Sequence, residues 1–117
     1  MSSATTISTH VLDTSLGMPA ANIGVTLSRV GERGVATPIS TNVTNADGRV
    51  GAMAPSDGIV ERGSYELRFD VAAYFAATSR NSFYTTVCIN FEVSGEPQHY
   101  HVPLLLSPFG YSTYRGS

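Results

Sequence analysis

The sequence predicts an all-β protein, a two-sheet β-sandwich of about eight short strands with one short helix. Three observations predict it. Apolar and polar residues alternate with a period of two along most of the chain. Turn-forming residues break that alternation at regular intervals. A single segment, after Asp70, has helical spacing instead. With 117 residues, 42% hydrophobic and 14% charged, the chain suits one domain, 1–117, and no internal repeat or linker divides it.

Taken in order, Ile7 to Leu12 is the first strand, and Asp13 to Ala20, with Gly17 and Pro19, turns the chain. From Asn22 to Arg29, Ile23, Val25 and Leu27 point one way and Thr26 and Ser28 the other. Gly31 to Gly34 is a polar reversal before a shorter strand, Ile39 to Thr44. Asn45-Ala46-Asp47-Gly48 is a tight turn, since Asp-Gly supplies the positive φ that a reversal requires. The strand Arg49 to Met53 follows, then the longest loop, Pro55 to Gly63. Tyr65, Leu67 and Phe69 alternate with Glu66, Arg68 and Asp70. Val71, Tyr74 and Phe75 lie at i, i+3 and i+4, which predicts two turns of helix with Asp70 as N-cap. Val87, Ile89, Phe91 and Val93 form the inner row of the next strand, His99 to Leu106 another, and Ser112 to Arg115 a last short one.

Composition narrows the function. The net charge is −2, with nine acidic residues against seven arginines and no lysine, whereas a nucleic-acid binder needs a basic stripe. The single cysteine, Cys88, excludes a disulfide-stapled fold and is expected to be a small core residue. The longest apolar runs, Val71 to Ala77 and Val102 to Leu106, are too short to span a bilayer. Met1 to Thr6 has the character of a Ser/Thr tract and not of a signal peptide, so a cytoplasmic location is expected.

Three histidines, His10, His99 and His101, all fall on predicted strands, and period two puts His99 and His101 on one face. Imidazole can exchange a proton near neutral pH. The three could also furnish an adventitious zinc site, the minimum for an open zinc, although no metal is required. Arg49 follows the Asp47-Gly48 turn at a strand mouth, where a guanidinium can clamp an anion or a carbonyl oxygen. The ending Tyr111 to Ser117 is rich in hydrogen-bonding side chains.

Ser8 to Asp13, Gly17 to Ala20, Thr44 to Arg49, His99 to Pro108 and the closing Tyr111 to Ser117 together resemble the 5-hydroxyisourate hydrolases, the transthyretin-related family of purine catabolism. His-Tyr-His-Val-Pro-Leu-Leu with the final Tyr-Arg-Gly-Ser distinguishes that family from transthyretin, the hormone carrier with the same fold. Thr85-Thr86 and Met18 depart from its usual pattern. The resemblance implies a transthyretin-like sandwich and a homotetramer, a dimer of dimers with sites where dimers meet. It implies opening of the N1–C6 bond of 5-hydroxyisourate, without a cofactor, in urate breakdown. It further implies that His10, Arg49, His101 and Ser117 are catalytic, with His10, Arg49, Tyr114, Arg115 and Gly116 binding substrate. In that scheme His10 and His101 transfer protons, Arg49 holds the oxyanion, Tyr114 contacts the substrate, and Ser117 orients the water or a histidine. The alternative is a carrier of a small aromatic ligand on the same fold.

Overall fold

Nine strands and one helix make up the computed structural model, which describes residues 5–117. In order they are β1 (Thr6–Asp13), β2 (Met18–Pro19), β3 (Gly24–Val30), β4 (Ala36–Val43), β5 (Arg49–Met53), β6 (Gly63–Asp70), α1 (Val71–Ala77), β7 (Thr86–Val93), β8 (His99–Ser107) and β9 (Gly110–Thr113). One sheet has the order β2-β1-β8-β9, with β5 also paired to β1; the other has the order β4-β3-β6-β7. β1 and β8 run parallel, while the other pairs are antiparallel.

The alternation does what period two requires. Val11, Leu104 and Leu106 of the first sheet and Val25, Leu27, Leu67 and Phe69 of the second are all buried in one core between the layers. Each such side chain contributes roughly 1.5–3 kcal/mol relative to exposure. α1 joins β6 to β7 and seals one end with Val71 and Phe75. Its first turn is capped as the sequence indicates, the Ala73 amide donating to Asp70 Oδ1 at 3.4 Å.

Four features differ from the sequence reading. A ninth strand, β2, is only two residues long and exists because Leu12 and Asp13 pair with Pro19 and Met18. The Gly31 to Gly34 reversal is a single 3-10 turn in which Arg33 (φ 65) and Gly34 (φ 73) take left-handed backbone. The last strand ends at Thr113, so the tail leaves the ladder earlier than expected and returns only for one bridge, Gly116 to His101. Cys88 is exposed, not core, because Val87 and Ile89 take the inward parity and leave it facing out beside Arg68. The tract over residues 1–4 lies outside the described residues. Among the described residues no helix is long and apolar enough to cross a membrane.

A polar cluster is buried with the core at the end of β1. Asp13 is fully buried. Its Oδ1 accepts from the Ser15 amide and hydroxyl (3.1 and 2.6 Å) and the Leu16 amide (3.2 Å). Its Oδ2 accepts from the Tyr74 hydroxyl of α1 (2.7 Å) and from Arg80 (2.6 Å). Burial alone would raise its pKa, but the hydrogen bonds and the Arg80 charge outweigh it and hold the carboxyl at about 2. This network ties the helix to the first sheet.

Candidate active site

The outward-facing residues of β1 are Thr6, Ser8 and His10, by parity with the buried Ile7, Thr9 and Val11. Register then decides their neighbours. Antiparallel pairing with β5 sets His10 opposite Arg49, and parallel pairing with β8 sets Ser8 opposite His101 and Thr6 opposite His99. Residues far apart in the chain thus form one polar row.

Arg49 owes its place to the turn before it. Asn45 Oδ1 accepts from the amides of Asp47 (2.9 Å) and Arg49 (3.0 Å), closing the reversal. Gly48 (φ 75) must be glycine, because a Cβ there would collide with the Val11 carbonyl oxygen and come within 3.1 Å of the Ala20 amide.

The two imidazoles of β8 are stacked, with ring centroids 6.2 Å apart and planes at 15°. Ser8 Oγ lies between them, 2.9 Å from His99 Nε2 and 2.8 Å from His101 Nδ1. Thr6 Oγ1 is hydrogen-bonded to the other nitrogen of His99, Nδ1. The shared hydroxyl thus occupies the space between His99 Nε2 and His101 Nδ1. Among the described residues no three His, Cys, Asp or Glu side chains form a group able to hold a metal.

The tail crosses His101. The Gly116 amide donates to the His101 carbonyl oxygen at 2.8 Å, and a Cβ on Gly116 would come within 2.5 Å of His101 Cδ2. Only a residue without a side chain can lie that close to the ring. The crossing divides the surface into two clefts that share His101. One, of about 330 Å³, is lined by Ser8, Arg49, His99, His101 and Ser117. The other, of about 360 Å³, is lined by Phe91, Glu92, Tyr100, His101, Tyr114 and Arg115.

The sequence-predicted residues are thus only partly brought together. Arg49, His101 and Ser117 share the first cleft, with His10 beside it on β1 rather than in its lining. Gly116 forms the crossing itself. Tyr114 and Arg115 lie on the far side of His101. The Arg115 guanidinium stacks over the Tyr100 ring at 4.8 Å and donates to Gln98 Oε1 at 2.6 Å, which turns it away from Arg49. Ser8 and Thr6 were not among the expected site residues. Their signal was available, since they share parity with His10, but their link to the β8 histidines depends on a parallel register that the sequence does not contain.

His101 is half-buried and His99 is exposed. Burial, and then the positive charge of Arg49 with smaller effects of His99 and His10, push the His101 pKa below 6.5. At neutral pH His101 is therefore an uncharged imidazole able to accept a proton. A neutral base, a guanidinium fork and a hydroxyl on one concave surface suit proton transfer to and from a polar substrate whose oxygen gains negative charge.

Comparison with known proteins agrees in fold and in sequence. The HIUase/Transthyretin family model matches residues 7–116. A 5-hydroxyisourate hydrolase of Deinococcus radiodurans is 46% identical over 114 residues, covering 95% of each chain. The solved 5-hydroxyisourate hydrolase of Klebsiella pneumoniae superposes with a TM-score of 0.83 at 39% identity, covering 96% of this chain and 99% of that one. A sea bream transthyretin in complex with thyroxine gives a TM-score of 0.81 at 30% identity, covering 94% and 93%.

Proposed function

Because the chain belongs to the HIUase/transthyretin family, we propose that it is a hydrolase that opens the N1–C6 bond of 5-hydroxyisourate, yielding 2-oxo-4-hydroxy-4-carboxy-5-ureidoimidazoline in urate breakdown. The observation that carries this reading is the convergence of neutral His101, Arg49 and Ser117 on one cleft, with His10 adjacent.

The reaction needs water to lose a proton as it attacks the C6 carbonyl, and the departing N1 to gain one. In our reading His101 takes the proton from water, and His10, opposite Arg49 in the β1–β5 pair, serves the other transfer. Arg49 holds the carbonyl oxygen as it becomes an oxyanion, a role for which one good donor is worth about 2.7–4 kcal/mol. Ser117 orients the attacking water from the opposite wall. Tyr114 contacts the substrate from the second cleft, and Arg115 supports it by fixing the tail against Tyr100 and Gln98. No step calls for a cofactor.

The carrier reading has less support. A passive channel for an aromatic ligand has no use for an imidazole, a guanidinium and a shared hydroxyl placed in one cleft. Assembly as a homotetramer, a dimer of dimers, is supported by the surface. β7 and β9 end their sheets, and Leu16 (53%), Phe83 (71%) and Phe109 (71%) are exposed hydrophobics of the kind that association covers. We place the protein in the cytoplasm, a reducing compartment in which the exposed free thiol of Cys88 is stable.

The test is direct. 5-Hydroxyisourate is generated in the cuvette by urate oxidase, and its ultraviolet decay is followed with and without the protein, in the presence of a chelator. Decay far above the spontaneous rate is expected. Decay at the spontaneous rate, from folded protein whose light-scattering mass is four times that of one chain, contradicts the hydrolase and leaves the carrier.

A further inference from the structure

Four side chains contributed alternately by two strands form an unbroken series of hydrogen bonds: Thr6, His99, Ser8 and His101. At its inner end, His101 Nδ1 is engaged by Ser8 Oγ at 2.8 Å. At its outer end, His99 is exposed and meets Thr6, the first residue of β1. Each link has one proton and a hydroxyl donates once but accepts twice, so three arrangements are available: one in which Ser8 accepts from both imidazoles, and two that run in a single direction from end to end. In one of the latter two, His101 Nδ1–H donates to Ser8 Oγ, the Ser8 hydroxyl donates to His99 Nε2, and His99 Nδ1–H donates to Thr6 Oγ1. That leaves His101 Nε2 with a lone pair, ready to act as a base. In the reverse direction Nε2 carries the hydrogen and can act only as an acid.

We propose that Ser8 and His99 are positioning residues that hold His101 as the Nδ1–H tautomer and let the proton it takes up in the reaction be shared outward with His99. The inference rests on the hydrolase reading, which needs a lone pair on Nε2 and so selects the direction, while the tautomer is read without substrate.

The proton accounting closes. When His101 Nε2 takes a proton from the attacking water, it becomes an imidazolium facing Arg49, His10 and His99, with Glu92 on the side of the second cleft. The half-buried ring beside a guanidinium is a poor place for that charge, and the exposed His99 is a better one. His101 Nδ1–H passes its proton to Ser8 Oγ as the Ser8 hydroxyl proton passes to His99 Nε2. His101 is then a neutral Nε2–H imidazole and His99 an imidazolium. Return of one proton from His99 through Ser8 to Nδ1 restores the imidazolium, whose Nε2 proton then replaces the one that His10 gives to the departing nitrogen, and the starting state is regained. No electrons move and no proton is lost.

Ser8 is buried and its hydroxyl bonds the two imidazoles, whereas His99, at the far end of the series, is exposed.

The experiment uses protein labelled with 15N and reads imidazole tautomers by long-range 15N–1H correlation at neutral pH, without substrate. Wild type and Ser8→Thr are expected to show His101 as the Nδ1–H form. Ser8→Ala and His99→Gln are expected to shift it towards the Nε2–H form that free histidine prefers. In turnover, the latter two are expected to lose at least about tenfold in kcat with KM little changed, and Ser8→Thr to recover most of it. An unchanged His101 tautomer in both Ser8→Ala and His99→Gln overturns the proposal, as does Ser8→Ala with wild-type kcat. An ordered tautomer in a wild-type protein that does not hydrolyse 5-hydroxyisourate overturns the reaction and leaves the hydrogen-bond series standing. Should Ser8→Ala fail to fold, the exposed His99→Gln decides alone.

Discussion

The two faces of β1 carry polar groups that are treated in opposite ways. On the inner face Asp13 is fully buried and receives five hydrogen bonds, one of them within an ion pair with Arg80. On the outer face Ser8 and His10 stand beside an arginine, Arg49, that opens onto a cleft. The inner arginine is neutralised and the outer one is left to act on something else. A saturated polar cluster holds elements together, because removing any partner leaves a buried group unsatisfied. An unsaturated one is available for chemistry. The same strand supplies both because period two sends alternate residues to different environments.

That contrast can be broken from either side. The largest effect is expected on the outer face. His101→Asn should lower kcat about 1,000-fold, with the urea midpoint unchanged, as chemical denaturation and the ultraviolet assay together would show. Asp13→Ala should do the reverse. Loss of the buried partner of Arg80 is expected to cost about 3 kcal/mol of stability, read from urea melts, while turnover per folded molecule stays near wild type.

Arg49→Lys is expected to reduce kcat/KM about 100-fold, because an ammonium lacks the planar fork while keeping the charge. Arg49→Gln sharpens the electrostatic side of the comparison. With the guanidinium gone, the His101 midpoint followed by NMR should move up towards the ordinary histidine value, though burial keeps it from reaching 6.5. A midpoint that falls or stays fixed would show that Arg49 does not act on this ring.

Acid titration separates the faces again. Asp13 has a folded pKa of about 2 against 3.8 when unfolded, so its contribution is fully present above about pH 4 and is lost as pH falls towards 2. The loss amounts to about 2 kcal/mol and should vanish from the pH–stability curve of Asp13→Ala. The smallest effect is expected at Cys88, which faces outward beside Arg68 and whose thiol pKa is raised by partial desolvation against the sheet and by Glu66. Cys88→Ser should change stability by no more than about 0.5 kcal/mol.

Much of this was legible in the chain because alternation is a local signal. The strands containing Val25, Leu67 and Ile89, the α1 cap at Asp70 and the shared face of His99 and His101 follow from residues a few positions apart. Pairing is not local. That His10 meets Arg49, and Ser8 meets His101, depends on which strands lie side by side and in which register, and many arrangements satisfy the same alternation. Asp13 reads as the start of a turn, and its burial appears only when Tyr74 and Arg80 arrive from beyond β6. The apolar neighbours of Cys88 suggest a core position, whereas parity turns it outward beside Arg68. The resemblance joins Arg115 to Arg49, and the structure sets Arg115 in the second cleft because the tail crosses His101 at Gly116.

We propose that the outer face of β1 and β8 is a hydrolytic site built around His101. The measurement that tests it most directly is turnover of freshly generated 5-hydroxyisourate by wild type and His101→Asn at equal concentrations of folded protein. A wild-type rate far above spontaneous decay, with a loss of about 1,000-fold in the variant, is the predicted result. Turnover by His101→Asn close to wild type would contradict it.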